Sequence, residues 1–192
     1  MLRELEQLFG FLSKSKKLPS IQDHIRFQYL LVAQFNLHQR FLSLIDREID
    51  NASKGLPSGI TVKLNNLEEQ TLISKLYEAS QAGVMVRLIV RGICCLIPGI
   101  PGISDGINVT RIVDRYLEHG RVFIFENAGD PEFFMGSADW MNRNIYSRIE
   151  VCFPILDQEL KNTLQELINL QFEDNAQESN YLFLRTKNNL SL

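Results

Sequence analysis

Between Tyr116 and Trp140 the chain reads YLEHGRVFIFENAGDPEFFMGSADW. His119 stands two residues before Arg121, and Gly136-Ser137-Ala138-Asp139 follows further along. These residue types suit work on phosphate. A neutral imidazole gives or takes a proton near neutral pH. A guanidinium offers fork-shaped donors to phosphate oxygens, and a Gly-Ser turn presents a hydroxyl and backbone amides to an anion. In an extended chain His119 and Arg121 fall on the same side. A plainer reading stands beside this one. His119 occupies the last turn of a predicted helix ahead of Gly120, where the macrodipole favours a cationic ring.

Two more groups sit where an open α/β sheet gathers ligands, at the carboxyl ends of parallel strands. Asn65 follows the strand-like ITVKL and Arg91 follows VMVRLIV. Both can hold phosphate oxygens; alternatively, Arg91 bonds carbonyls of the proline-rich segment after it. Lys63, Arg87, Arg111, Arg115, Arg121, Arg143 and Arg148 lie on or beside the same elements. Other reactive side chains carry less. His24 and His38 have no partner motif. Cys94 and Cys95 lack a nearby base and read as structural residues of a buried loop. Trp140 reads as a core or rim aromatic, and Glu126, Asp130 and Asp139 match no metal-loop spacing.

The elements that must position these groups follow from periodicity. Leu2, Leu5, Leu8, Phe9 and Leu12 recur at helical spacing, and the polar stretch SKSKKLPS breaks the pattern. Tyr29 to Val32 is an apolar run of strand length. A helix is predicted from Leu37 to about Ser53, closed by GLPSG. Ile60, Val62 and Leu64 alternate with polar residues as a strand does. A helix on Leu72, Ile73, Leu76, Tyr77 and Ala79 follows, with Gly83 as its cap, and then the strand VMVRLIV. That spacing predicts a βαβ unit with parallel strands. RGICCLIPGIPGISDG is too rich in proline for a helix and packs over the sheet end. RIVDRYLEH is predicted as a helix capped by Thr110 or Asn108. RVFIFEN and EFFMGSA pair as a hairpin, RIEVCFPIL is a strand, DQELKNTLQELINLQF a helix, and the tail NYLFLRTKNN an edge strand. The sum is an α/β fold with a mixed β-sheet flanked by helices.

Composition narrows the function classes. A chain of 192 residues with 45% hydrophobic and 22% charged residues suits one globular domain with a full core. The net charge of -3 supplies no global basic field for nucleic acid, so an anion site must be local. The most apolar stretch is interrupted by Arg87 and Arg91 and then by Gly and Pro, which excludes a membrane span there. Three cysteines give neither a disulfide framework nor metal-ligand spacing, and suit a reducing, cytoplasmic setting.

The pair of motifs resembles the phospholipase D superfamily, whose signature is H-x-K followed at a distance by G-S-x-N. Here it reads His119-Gly120-Arg121 and Gly136-Ser137-Ala138-Asp139. Arg replaces Lys, Asp replaces Asn, and the aspartate of the H-x-K-x-x-x-x-D pattern is missing. Longer runs resemble one branch closely. KLNNLEEQTLISKLYEASQAGV, RLIVRGICCLIPGIPGISDGI, IVDRYLEHGRVFIFENAGDPE and GSADWMNRNIYSRIEV look like the last catalytic domain of bacterial polyphosphate kinases, over roughly Tyr29 to Asn175. VAQFNL departs from that family, which usually writes proline where Gln34 stands.

The resemblance implies a phospholipase D-like fold and reversible transfer of the ATP γ-phosphoryl group to inorganic polyphosphate. It implies His119 as a catalytic acid/base and Arg91 as the contact to nucleotide phosphates. Lys63 and Asn65, Arg121, Ser137 and Asp139, and the pair Arg148 and Glu150 complete the implied substrate set. The phosphorylated histidine and the ligands of Mg2+ belong to a preceding catalytic domain with no counterpart here. Residues 1–28 then read as a connector leaving that domain and 29–192 as the C-terminal catalytic domain. The implied partners are ATP or ADP, polyphosphate and the upstream domain, in a cytoplasmic and homo-oligomeric parent that associates with membranes in one version. Nucleic acid is not among them. The fragment alone is expected to be inactive. Competing readings are a dimeric phospholipase D-like phosphodiesterase and a non-catalytic polyanion- or nucleotide-binding module.

Overall fold

The structure is a computed structural model that describes residues 1–13, 25–112, 117–173 and 178–180. Its elements in chain order are α1 (Leu2–Leu12), β1 (Leu31–Val32), α2 (Leu37–Ser53), β2 (Gly59–Leu64), α3 (Gln70–Gln81), β3 (Met85–Val90), β4 (Ile107–Ile112), β5 (Val122–Phe125), β6 (Glu132–Gly136), α4 (Asn142–Tyr146), β7 (Val151–Ile155), α5 (Gln158–Glu173) and β8 (Glu178–Asn180). The strands form one mixed sheet in the order β1-β7-β6-β5-β2-β3-β4-β8. β2, β3 and β4 run parallel. The β1–β7, β7–β6, β6–β5, β5–β2 and β4–β8 pairs are antiparallel.

Helices cover both faces. Phe41, Leu44 and Ile45 of α2 and Leu72 and Leu76 of α3 pack on Val62, Leu88, Phe123 and Phe125 of one sheet face, all buried. Ile168 of α5 packs on Ile89, Ile112, Val122, Ile124 and Phe133 of the other. Trp140 is wholly buried and sits 5.7 Å from the ring of Phe123 and 5.3 Å from Phe41, a core aromatic as expected. α1 is fastened to the domain by Glu4, whose carboxylate accepts the backbone N–H groups of Gln28, Tyr29 and Leu30. Leu8 and Phe11 are buried beneath it.

The predicted helix RIVDRYLEH is corrected. Ile107–Ile112 is a strand parallel to β3, with Ile89 opposite Thr110. Thr110 is therefore a buried strand residue rather than a cap, and Arg111 lies on β4. Ile, Val and Thr crowd this run, and β-branched side chains fit a pleated surface better than a helix. The open edge of β3 then supplies hydrogen-bond partners that no local pattern reveals. Residues 113–116, Arg115 among them, lie outside the described residues, and 117–120 form no regular element. His24 and residues 14–20 of the predicted linker also lie outside them. Of the tail, Asn180 ends β8, and Tyr181 onward is outside the described residues. The short α4 has no counterpart in the sequence expectations. No helix among the described residues is long and apolar enough to cross a membrane.

Candidate active site

Sheet topology brings the motif residues to one end. β2 and β3 both finish there, at Leu64 and Val90. β5 runs antiparallel to β2, with Lys63 opposite Val122, so β5 begins at that end. β6 returns to it, and Gly136 faces Cys152 at the start of β7. Asn65, Arg91, His119, Arg121, Ser137, Asp139, Arg148 and Glu150 consequently emerge from one rim, although they span much of the chain.

Asp139 is the hub of one cluster. Its Oδ1 accepts from Arg121 Nε at 3.1 Å and its Oδ2 from Arg121 Nη2 at 3.2 Å. Oδ1 also accepts from the Asn65 N–H at 2.9 Å, and Oδ2 from Asn66 Nδ2 at 3.2 Å. Burial alone would push the Asp139 carboxyl up, yet the Arg121 and Asn65 donors hold it below the usual aspartate range. Arg121 Nη1 meanwhile donates to the carbonyl oxygen of His119 at 3.1 Å. Arg121 is thus bound to the protein on three nitrogens.

A second cation is committed in the same way. Lys63 is buried, and its Nζ lies 2.7 Å from Glu118 Oε2. That ammonium, followed by burial acting the other way, holds the Glu118 carboxyl below the usual range. Ser137 belongs to a third cluster, where its Oγ donates to Glu150 Oε2 at 2.5 Å and accepts from the Val151 N–H at 3.2 Å. Asn144 Nδ2 meets the other Glu150 oxygen at 2.6 Å. The hydroxyl of the Gly-Ser turn therefore fixes the start of β7. Gly136 fits there for lack of a side chain: an added Cβ would fall 2.3 Å from Val151 O and 2.4 Å from Cys152 Sγ.

Arg91 and His119 differ from these groups. Among the described residues, the Arg91 guanidinium and the His119 imidazole have no hydrogen-bond or ion-pair partner. The Arg91 backbone is anchored, with its N–H on Leu64 O and its carbonyl accepting from Arg111 Nε at 2.8 Å. Its neighbour Gly92 packs on the Asn65-Asn66 turn, where a Cβ would lie 2.7 Å from Asn66 Oδ1. His119 and Arg148 are exposed. Arg148 is placed by its carbonyl, which accepts from Gln34 Nε2 at 3.0 Å. Gln34 adopts φ 67, a conformation closed to proline, so a proline at this position requires a different turn.

Sequence reasoning missed Glu118 and Asn66, which hold Lys63 and Asp139 from 55 and 73 positions away, and Asn144, which holds Glu150 from six. It also left His38 without a partner, whereas His38 Nε2 lies 3.3 Å from Glu69 Oε2, and Tyr146 OH donates to Glu69 Oε1 at 2.9 Å. The vicinal cysteines are not both buried: Cys95 is exposed and Cys94 half-buried.

Comparison with known proteins decides the family. Residues 30–189 match the family model described as polyphosphate kinase C-terminal domain 2. The chain belongs to that family. A polyphosphate kinase from Salmonella typhimurium is 50% identical over 171 residues, which cover 89% of this chain and 24% of the relative. A crystal structure of polyphosphate kinase from Porphyromonas gingivalis superposes with a TM-score of 0.84 at 42% identity, covering 92% of this chain and 26% of that one. The chain therefore spans about a quarter of the length of the polyphosphate kinases it matches. Nuc from Salmonella typhimurium, a phospholipase D family member, is 16% identical with a TM-score of 0.56, over 79% of this chain and 97% of its own. The fold is phospholipase D-like, as the motifs implied.

The resemblance assigned the magnesium ligands to a preceding catalytic domain and expected none among these residues. No group of three or more His, Cys, Asp or Glu side chains among the described residues is placed to hold a metal ion. The rim carboxylates of Asp139 and Glu150 have protein donors on both oxygens, and Glu118 has two on Oε2.

Proposed function

We propose that this domain supplies one wall of a phosphoryl-transfer site in polyphosphate kinase. Its His119 acts as acid/base and Arg91 as the phosphate clamp, in transfer between ATP and inorganic polyphosphate. The supporting observation is the contrast within the rim. Lys63 and Arg121 are neutralised by Glu118 and Asp139, whereas Arg91 and His119 have unengaged side chains on anchored backbone.

Phosphoryl transfer proceeds through a loose transition state whose charge spreads over the equatorial oxygens. An unpaired guanidinium on a fixed strand end stabilises that charge without reorganising. The His119 imidazole accepts the proton of an entering oxygen or returns one to a leaving oxygen. Arg148, exposed on the same rim, adds positive potential. Asn65, Ser137, Asp139, Glu150, Lys63 and Arg121 shape the rim rather than touch phosphate. The histidine that becomes phosphorylated is assigned to another domain of the longer family chain, so this domain alone does not turn over. ADP titration by calorimetry tests the reading. Arg91→Ala should weaken binding about tenfold, as loss of one charge-assisted contact predicts; unchanged affinity would reject Arg91 as the clamp.

The phosphodiesterase alternative is weaker. Its motif lysine and asparagine are here Arg121 and Asp139, and those two side chains consume each other's hydrogen-bonding capacity.

A further inference from the structure

His119 lies in a stretch, residues 117–120, that no helix or strand supports. Such a segment would ordinarily sample many conformations, which suits a group that must meet a transferring phosphoryl poorly. Two ion pairs close on either side of it. On the C-terminal side, Arg121 is fixed by Asp139 and holds the His119 carbonyl. On the N-terminal side, Glu118 Oε2 accepts from Lys63 Nζ at 2.7 Å and from Gln171 Nε2 at 3.1 Å. Lys63 belongs to β2 and Gln171 to α5. One carboxylate thereby ties the residue before His119 to the sheet and to the helix that covers it.

We propose that Glu118 is a positioning residue for His119, fixing the backbone before the imidazole as the Arg121–Asp139 pair fixes it behind. This rests on the reading of His119 as the acid/base. The competing role for Glu118 is an internal anion that phosphate displaces from Lys63. Burial argues against it: the Lys63 side chain is 8% exposed, so an incoming phosphate could reach the ammonium only after Glu118 had moved. Gln171 holds Glu118 independently of Lys63. The depressed carboxyl of Glu118 agrees with a charge kept in place at neutral pH.

Glu118→Gln and Gln171→Ala separate these roles in the intact chain, with inorganic tripolyphosphate as the probe. The first keeps the shape and removes the charge; the second leaves Glu118 and Lys63 in place. Backbone 15N relaxation should give order parameters near ~0.85 for residues 118–121 in the unaltered chain, falling toward ~0.6 in Glu118→Gln. Tripolyphosphate should shift the His119 ring signals, and Glu118→Gln should weaken that response about fivefold. Because the variant also strands the buried Lys63 ammonium, both measurements are made at temperatures where the urea midpoint shows each chain fully folded. Gln171→Ala should show the same effects in smaller degree. Order parameters and affinity unchanged in Glu118→Gln would overturn the proposal. Tighter tripolyphosphate binding in that variant would also overturn it, and would assign Glu118 the competitor's role. If tripolyphosphate leaves His119 unmoved in the unaltered chain, the acid/base reading fails, and the relaxation data still decide whether Glu118 fixes the segment.

Discussion

Asp139 grips Arg121 with both carboxylate oxygens, at 3.1 and 3.2 Å, and this pair stands where the superfamily signature has asparagine and lysine. Both side chains are nearly buried, 12% and 5% exposed. A buried pair of this kind is costly to break on one side, because the remaining charge loses its partner without regaining water. Asp139→Asn should lower stability by about 3 kcal/mol, and Arg121→Lys by less, since it retains a charge but not the fork. Urea denaturation measures both; an Asp139→Asn chain as stable as its parent would show that the pair is dispensable.

Acid should unfold the domain through a small set of carboxylates. In Glu4 and Glu69 burial raises the pKa, but backbone N–H donors outweigh it and leave both lowered. In Glu118 the Lys63 ammonium is the main cause of the lowering, and Asp139 is lowered by Arg121 and Asn65 against its burial. Each group binds its proton less readily folded than unfolded. Its stabilisation is complete above the unfolded value of about 4 and disappears as pH falls through the lower folded value. The urea midpoint should stay level from neutrality to roughly pH 5 and drop below about pH 4. A midpoint still level at pH 3 would contradict this assignment.

Gly136→Ala tests the closeness of β6 to β7. The new methyl would overlap Val151 O and Cys152 Sγ, both on the neighbouring strand. Overpacking against backbone should cost about 2–3 kcal/mol or more, and it would displace the Ser137–Glu150 contact. Thermal melting and the solubility of the variant report the result.

Thiol reactivity should rank the cysteines. Burial pushes the Cys94 thiol up to about 11 and the Cys152 thiol up to about 12, whereas Cys95 is exposed. Since the thiolate is the reactive form, a maleimide at neutral pH should modify Cys95 first, Cys94 slowly and Cys152 only after unfolding. Mass spectrometry of a labelling time course checks the order, and early loss of Cys152 would indicate an open β6–β7 seam.

Activity should require more than this chain. Among the described residues this reading gives a role to one histidine, His119, and phosphohistidine chemistry needs a nucleophile as well as an acid/base. ATP-dependent polyphosphate synthesis should be undetectable for this chain alone, and a radiolabelled-phosphate assay showing robust synthesis would refute the division of labour between domains.

Most of the architecture was legible from periodicity. The helix predicted from Leu37 to about Ser53 forms over those residues, and the βαβ unit from Ile60 to Val90 has parallel strands as its spacing required. The exception is instructive. Ile107–Ile112 carries Ile, Val and Thr in a pattern that alone fits either element, and an unsatisfied edge of β3 settled it as a strand. The helix-end account of His119 falls for a separate reason: residues 117–120 form no regular element.

The sequence by itself determined that the chain is a phospholipase D-like domain of the polyphosphate kinase family, and which side-chain types collect around its motifs. Local spacing and long motif runs carry that information, because both are properties of neighbours along the chain. Only the tertiary structure decided which cations are spent. Lys63 and Glu118 are separated by 55 positions, and Arg121 and Asp139 by a hairpin. Whether a charge meets a partner depends on distances of a few ångströms set by strand register. Register assigned Lys63 and Arg121 to holding the rim, and left Arg91 and His119 open at its surface.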